Sequence, residues 1–314
     1  MPPIHAGMAG LTVFERGWLS SNNVLIHGRG DGATLVDTGH CVHAEQTVAL
    51  VRHALRQALP PEPLLRILNT HLHSDHCGGN AALQAAFGAE LSLPPGLWDA
   101  ALRWDEQALG YAGIGQRCER FVPQARIVPG QALHLGGRRW EVLASPGHDP
   151  DSVMLFDADA GVLISADALW ENGYGIVFPE LEGEPGFDDV ANVLDLIASL
   201  PVRCVMPGHG APFVDCAGAL ARARALLARQ RANPRHHARH AVKVLIKYHL
   251  MEERRQTWDE LHAWVVARPM FVRVFEAQEA TAETSMRGWC ETLVHELVAR
   301  GVLAVRDGVV YDLA

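Results

Sequence analysis

The chain has 314 residues, 48% of them hydrophobic, and a formal net charge of −9 at pH 7. That is ample for a buried core in one large domain or two. No apolar run reaches the length of a membrane span, and Met1-Pro2-Pro3-Ile4-His5 has neither the basic start nor the apolar stretch of a secretory signal, so a cytoplasmic location with no membrane partner is expected.

In chain order, Val24-Leu25-Ile26 and Ala33-Thr34-Leu35-Val36 read as strands joined by a glycine-rich turn, with Asp37-Thr38-Gly39 at the second strand's end. Val48, Val51 and Leu55 have helical spacing within 43–58, and Pro60-Pro61-Glu62-Pro63 stops that helix. A strand over 64–69 leads into His71-Leu72-His73-Ser74-Asp75-His76. After Gly78-Gly79 a helix runs through Phe87 to a stop at Gly88, and 97–109 reads as a helix whose Trp98, Leu102 and Leu109 cover one side of a site. Strands are expected at 132–135, 140–144, 153–156 and 162–164. Residues 187–199 form an amphipathic helix, 202–206 a last strand and 217–231 a further helix.

Beyond Pro234 the pattern changes, and the chain is divided into 1–233 and 234–314. Helices are expected at 240–251, at 258–267 with Thr257 as N-cap and Glu260 at the capping-box position, and at 284–300. A hairpin then turns at Asp307-Gly308. Three helices and a hairpin resemble a winged helix.

The segment from His71 to His76 holds three imidazoles and a carboxylate in six residues, and no packing requirement explains it. Imidazole nitrogen and carboxylate oxygen are ligands for zinc, iron or manganese. His71 and His73, two apart on an extended segment, point one way; Asp75 and His76, one turn later, can face a second ion. His148 and His209 each follow Pro-Gly at a strand end, and Asp167 ends a strand between them. The six cysteines, at 41, 77, 118, 204, 216 and 290, include no Cys-x-x-Cys pair and are read as free thiols of a reducing compartment. Cys77, beside His76, is read as a small buried residue. The cluster His236, His237 and His240 is read as a solvated linker face.

His71-x-His73-x-Asp75-His76 resembles the signature of the metallo-β-lactamase superfamily. Four more stations follow that family's order: Leu35-Val36-Asp37-Thr38-Gly39, Ser145-Pro146-Gly147-His148, Ser165-Ala166-Asp167 and Met206-Pro207-Gly208-His209. The resemblance implies an α/β fold, an αββα sandwich followed by the small winged-helix-like α+β unit. It also implies a dinuclear centre with His71, His73 and His148 on one divalent ion, Asp75, His76 and His209 on the other, and Asp167 bridging them. Zinc is the expected metal, with iron and manganese as alternatives. The implied chemistry is hydrolysis by a hydroxide held between the ions, with Asp75 receiving its proton. Asp37 is expected to orient a ligand, or to serve only an Asx-turn.

Substrate choice falls to the segment after Asp167, where Trp170 and Tyr174 can pack on an acyl group or belong to the core. The family's lactone hydrolases place a tyrosine where Trp170 stands. Residues 141–202 hold thirteen acids and no Lys or Arg, so no cation there awaits a glutathione carrier. Residues 216–251 hold eight Lys and Arg and no acid. That block would suit a phosphate backbone, a solvated face, or pairing with the acidic segment of the same chain or of a second copy in a homodimer. The expected function is a metal-dependent hydrolase of a small ester, thioester or lactone. A phosphodiesterase or ribonuclease is the alternative, and a nucleic-acid-binding regulator a third reading; a nucleic-acid partner is the weaker expectation beside a small acyl substrate.

Overall fold

The computed structural model describes residues 5–278 and 285–313. The first sheet has the order β1 (Leu11–Phe14), β2 (Asn23–Ile26), β3 (Ala33–Val36), β4 (Leu64–Leu68), β5 (Glu90–Leu93) and β6 (Ala125–Arg126), antiparallel as far as β3 and parallel from there. The second runs β7 (Ala132–Leu135), β8 (Arg138–Ala144), β9 (Val153–Asp157), β10 (Val162–Ala166) and β11 (Cys204–Pro207), with only the β10–β11 pair parallel.

Helices cover both outer faces. The first sheet carries α1 (Ala44–Gln57), the single turn α2 (Ser74–Cys77), α3 (Asn80–Phe87), α4 (Trp98–Arg103) and α5 (Tyr111–Ile114). The short α6 (Phe178–Glu182) packs on the C-terminal region, and the second sheet carries α7 (Phe187–Ser199) and α8 (Cys216–Ala232). Strand side chains alternate between faces. Val24, Ile26, Val36 and Leu68 therefore meet Trp140, Val142, Leu155 and Met206 between the sheets. Leu25, Leu35 and Ile67 face outward onto Val51, Leu55 and Leu83. Met154, Phe156 and Leu163 face α7 and α8 through Val190, Leu194 and Leu220. Covering both faces makes β2 and β3 buried along their whole length, which is why they read as continuous apolar runs. The result is an α-β-β-α sandwich.

The remaining chain forms α9 (Pro234–Glu253), β12 (Arg255–Thr257), α10 (Trp258–Val266), α11 (Pro269–Gln278), α12 (Met286–Ala299), β13 (Leu303–Arg306) and β14 (Val309–Asp312). A fourth core, built on Ile246, Leu261, Phe271, Trp289 and Leu293, also takes in Ile114 of α5 and Leu181 of α6. Thr257 and Glu260 form the expected capping box, and Asp307 and Gly308 turn the hairpin with φ of 50° and 76°.

Several expectations are corrected. The helix over 97–109 stops at Arg103, because Trp104 adopts a left-handed φ of 57° and lays its ring on Tyr111 and Phe121. Trp98 and Leu109 pack in the outer core and Leu102 is exposed, so this segment does not cover the site. The helix at 240–251 begins earlier, with Pro234 at its first position and Asn233 capping the amide of His236. The helix α11 has no counterpart among the expected elements: Phe271-Val272-Arg273-Val274-Phe275 is rich in β-formers, and tertiary burial of Met270, Phe271 and Val274 overrides that propensity. The first residue of the helix expected at 284–300 lies outside the described residues. Among the described residues no helix is long and apolar enough to cross a membrane.

Candidate metal centre

The seven expected ligands converge at one end of the sandwich, beyond the C-terminal ends of four strands. The segment after β4 supplies His71 and His73 and, in the turn α2, Asp75 and His76; His148 follows β8, Asp167 follows β10 and His209 follows β11. Their ligand atoms form two groups: His71, His73 and His148, and Asp75, His76, Asp167 and His209. In the first, His73 Nδ1 lies 3.1 Å from His71 Nε2 and 2.8 Å from His148 Nε2. In the second, His209 Nε2 is 3.1 Å from Asp75 Oδ2, and His76 Nε2 is 3.4 Å from Asp167 Oδ1. The other oxygen of Asp167, Oδ2, lies 3.4 Å from His148 Nε2, so its carboxylate spans the two groups.

The backbone is shaped for this approach. A Cβ on Gly208 would lie 2.1 Å from Asp167 Oδ1, and one on Gly175 would lie 2.4 Å from His148 Nδ1. Ala166 and Asp37 adopt left-handed φ of 46° and 57°, a conformation costing about 1–2 kcal/mol for a residue with a Cβ. Such strain is found where a site over-determines the backbone.

Proton positions follow from the surrounding partners. Asp37 Oδ2 accepts from His76 Nδ1 at 2.7 Å and from Thr70 Oγ1 at 2.8 Å, while Oδ1 accepts from the Thr70 amide at 2.8 Å. Thr70 Oγ1, having donated to Asp37, accepts from His71 Nδ1 at 3.1 Å. His148 Nδ1 donates to the Ile176 carbonyl at 2.6 Å. His71 and His148 thus carry their proton on Nδ1 and turn a bare Nε2 inward, while His76 donates from Nδ1 to Asp37 and points Nε2 at Asp167. His73 is reversed: Nδ1 faces the cluster and Nε2 faces Asp149, 3.8 Å away. Asp37 therefore fixes the His76 ring as well as ending the strand.

Burial drives the His71 pKa well below the ordinary 6.5 and brings His73 and His148 down to about 4, so these rings are neutral. Burial would raise Asp75, but the charge of His76 and the hydrogen bond from His209 hold it down at about 2. Burial also opposes ionisation of Asp167, which His76 and His209 hold well below the usual carboxylate range. His76 moves the other way: Asp167, Asp37 and Asp75 outweigh its burial and raise it well above 6.5.

The residues fit a pair of divalent ions. Among the described residues the ionisable partners of the three buried carboxylates, Asp37, Asp75 and Asp167, are histidines, and no Lys or Arg pairs with any of them. One imidazolium at His76 does not balance three buried negative charges, and unbalanced buried charge is costly. In addition, His76 Nε2 is buried with no hydrogen-bond partner. His71, His73 and His148 would hold one ion, Asp75, His76 and His209 the other, and Asp167 both. The donor set of imidazole and carboxylate suits zinc, iron or manganese.

The centre opens into a cavity of about 440 Å³. Trp170 donates through Nε1 to Asp167 Oδ1 at 3.2 Å and stands edge-on to His209. Tyr174 borders the cavity, but its hydroxyl is bound to Gln230 Oε1 at 2.6 Å. Cys77 is buried against Leu72, Tyr111 and Cys118 and joins neither ligand group, and all six cysteines are free. His237 is buried and bonds the Val177 carbonyl at 3.3 Å, which removes it from a solvated face.

Sequence reasoning missed several neighbours. Trp18 stacks on His209 with ring centres 5.3 Å apart. Phe178, by contrast, belongs to the segment 167–179 expected to line the mouth of the site, and it lies against the rings of His73 and His148. Tyr248 of α9 reaches Ser74 Oγ at 3.1 Å. Of the missed neighbours, Asp149 carried a signal, its position directly after His148.

The sequence profile of the metallo-beta-lactamase superfamily matches residues 16–209. Hydroxyacylglutathione hydrolase of Rhodospirillum rubrum is 28% identical over 174 residues, 55% of this chain and 58% of the relative. Acyl-coenzyme A thioesterase MBLAC2 of Bos taurus is 26% identical over 166 residues, 50% of this chain and 59% of the relative. The chain thus spans less than two thirds of the length of either relative. The metallo-beta-lactamase family protein TTHA1429 of Thermus thermophilus shares the fold with a TM-score of 0.53 at 21% identity, over 97% of this chain and 99% of that one.

Proposed function

Because the chain belongs to the metallo-beta-lactamase superfamily, we propose that it is a metal-dependent hydrolase of acyl thioesters. The observation that carries this reading is the carboxylate of Asp167, set between two ligand groups and facing a cavity large enough for a small organic substrate. Two bound ions, most simply zinc since hydrolysis needs no redox change, would lower the pKa of water and polarise a carbonyl.

The chain's own residues do the rest. Asp37 and Thr70 fix the rings of His76 and His71, and the Ile176 carbonyl fixes His148. Trp170 Nε1 holds Asp167 in place, and Trp18 braces His209 from outside. Asp75, ionised throughout the working range, is assigned the transfer of the nucleophile's proton towards the departing thiolate. The C-terminal unit, whose helices and hairpin suit a winged helix, serves as a cavity wall through α9.

The basic block favours this reading over a phosphodiesterase. Arg224 pairs with Asp195 at 2.6 Å and Arg231 with Asp188, both partners lying in the acidic segment. Arg239 and Lys243 share Glu296, and Lys247 pairs with Asp312. These cations are engaged within the chain rather than arrayed for a phosphate backbone.

A panel of acyl thioesters, esters, lactones and a bis-nitrophenyl phosphate tests the reading. The metal-loaded protein is expected to turn over thioesters with the highest kcat/KM and to lose that activity on chelation. Preference for the phosphate diester, or no thioester turnover, would contradict it.

A further inference from the structure

We propose that the cavity beside the centre is a trough for an unbranched hydrocarbon acyl chain, so that the substrate is a medium-chain acyl thioester. This deepens the thioester reading and rests on it.

The helix α9 supplies one wall. His237, His240, Val244, Tyr248 and Met251 all border the cavity. Their spacing places them along one stripe, which at 1.5 Å per residue extends about 20 Å along the helix. Ile176, Phe178 and Leu226 come from the sandwich, and Leu297 and Val302 from beyond α9. The cavity is thus a long furrow with apolar walls that begins at the ligand groups, where the carbonyl must sit.

Many polar groups on these walls are already engaged. Tyr174 and Gln230 bond each other at 2.6 Å, and Tyr248 bonds Ser74 at 3.1 Å. Gln116 accepts from the Ser74 amide at 3.2 Å, and His237 bonds the Val177 carbonyl at 3.3 Å. Lys243 Nζ donates to Glu296 at 2.8 Å; Lys247 Nζ is held by Asp312 and by the Val302 carbonyl at 3.0 Å. Beyond the ligands, the groups left over are the exposed His240 and Arg300, the amide nitrogens of Gln116 and Gln230, and His237 Nδ1, which is buried with no partner. A polar acyl group entering the furrow would lose its water and find few partners, which a site does not repay. A hydrocarbon chain loses nothing there, and its burial is favourable by about fourfold in affinity for each methylene.

Non-hydrolysable S-alkyl thioethers of N-acetylcysteamine test this in the metal-free full chain by calorimetry. Affinity is expected to rise about fifteenfold for every two carbons from ethyl towards octyl. The matching acyl thioesters of the metal-loaded protein should show the same trend in kcat/KM. Val244→Phe and, as a second variant, Met251→Phe fill the furrow; each should lower the octyl-to-ethyl affinity ratio at least about tenfold. A flat or falling series, or an unchanged ratio in both folded variants, would overturn the proposal. Chain-length-dependent binding with no turnover of any thioester would support the trough while removing the thioester reading, so the two can fail separately.

Discussion

Asp167→Ala should lower kcat by about three orders of magnitude or more and reduce the bound metal from two ions towards one, because water without metal assistance has a pKa near 15.7 rather than near 7. The carboxylate is the one group whose two oxygens approach different ligand sets, Oδ1 towards His76 and Oδ2 towards His148. Alanine removes both contacts and leaves His76, already without a partner on Nε2, facing an empty space. Thioester hydrolysis with metal analysis on the same sample checks this. Activity within about tenfold of the parent at full metal content would mean that Asp167 bridges nothing.

Asp37→Asn should cost about 10–100-fold in metal affinity or activity, the usual effect of removing a group that orients a ligand. The change is nearly isosteric, and asparagine tolerates the left-handed φ of 57° at this position. Its amide oxygen can still accept from the Thr70 amide, but its amide nitrogen cannot accept from His76 Nδ1. His76 must then rotate, or shift its proton to Nε2, where it would block the metal. Competition with a zinc chelator measures the affinity, and thermal unfolding of the metal-free protein separates it from stability. Unchanged affinity would return Asp37 to a purely structural role.

The centre was largely legible in the sequence because its ligands are carried locally. His71 to His76 are contiguous, and His148, Asp167 and His209 each stand one step past an apolar strand, so residue type and strand end together indicate where they point. The same local logic gave β2, β3, α1, α7 and the Asp307-Gly308 turn within a residue or two. What the sequence hid depends on distant packing. Trp18 is an unremarked loop residue until the fold lays it on His209. Tyr248 and Val244 meet the cavity only because α9 docks across the sandwich, and no pattern in α9 announces that partner. The cations of 216–251 left a phosphate backbone, a solvated face and intrachain pairing all open, because their acids, Asp188, Asp195, Glu296 and Asp312, are remote in sequence. The helix α11 was concealed by β-branched and aromatic residues that its core position demands.

Seven converging side chains imply one dinuclear metal centre. Metal content by mass spectrometry, after the purified protein has been stripped, reloaded and freed of excess ion, addresses it most directly. The account predicts about two divalent ions per chain for the parent and a lower content for Asp167→Ala. One ion or fewer per chain in the parent, or two ions retained when Asp167 is replaced, would contradict it.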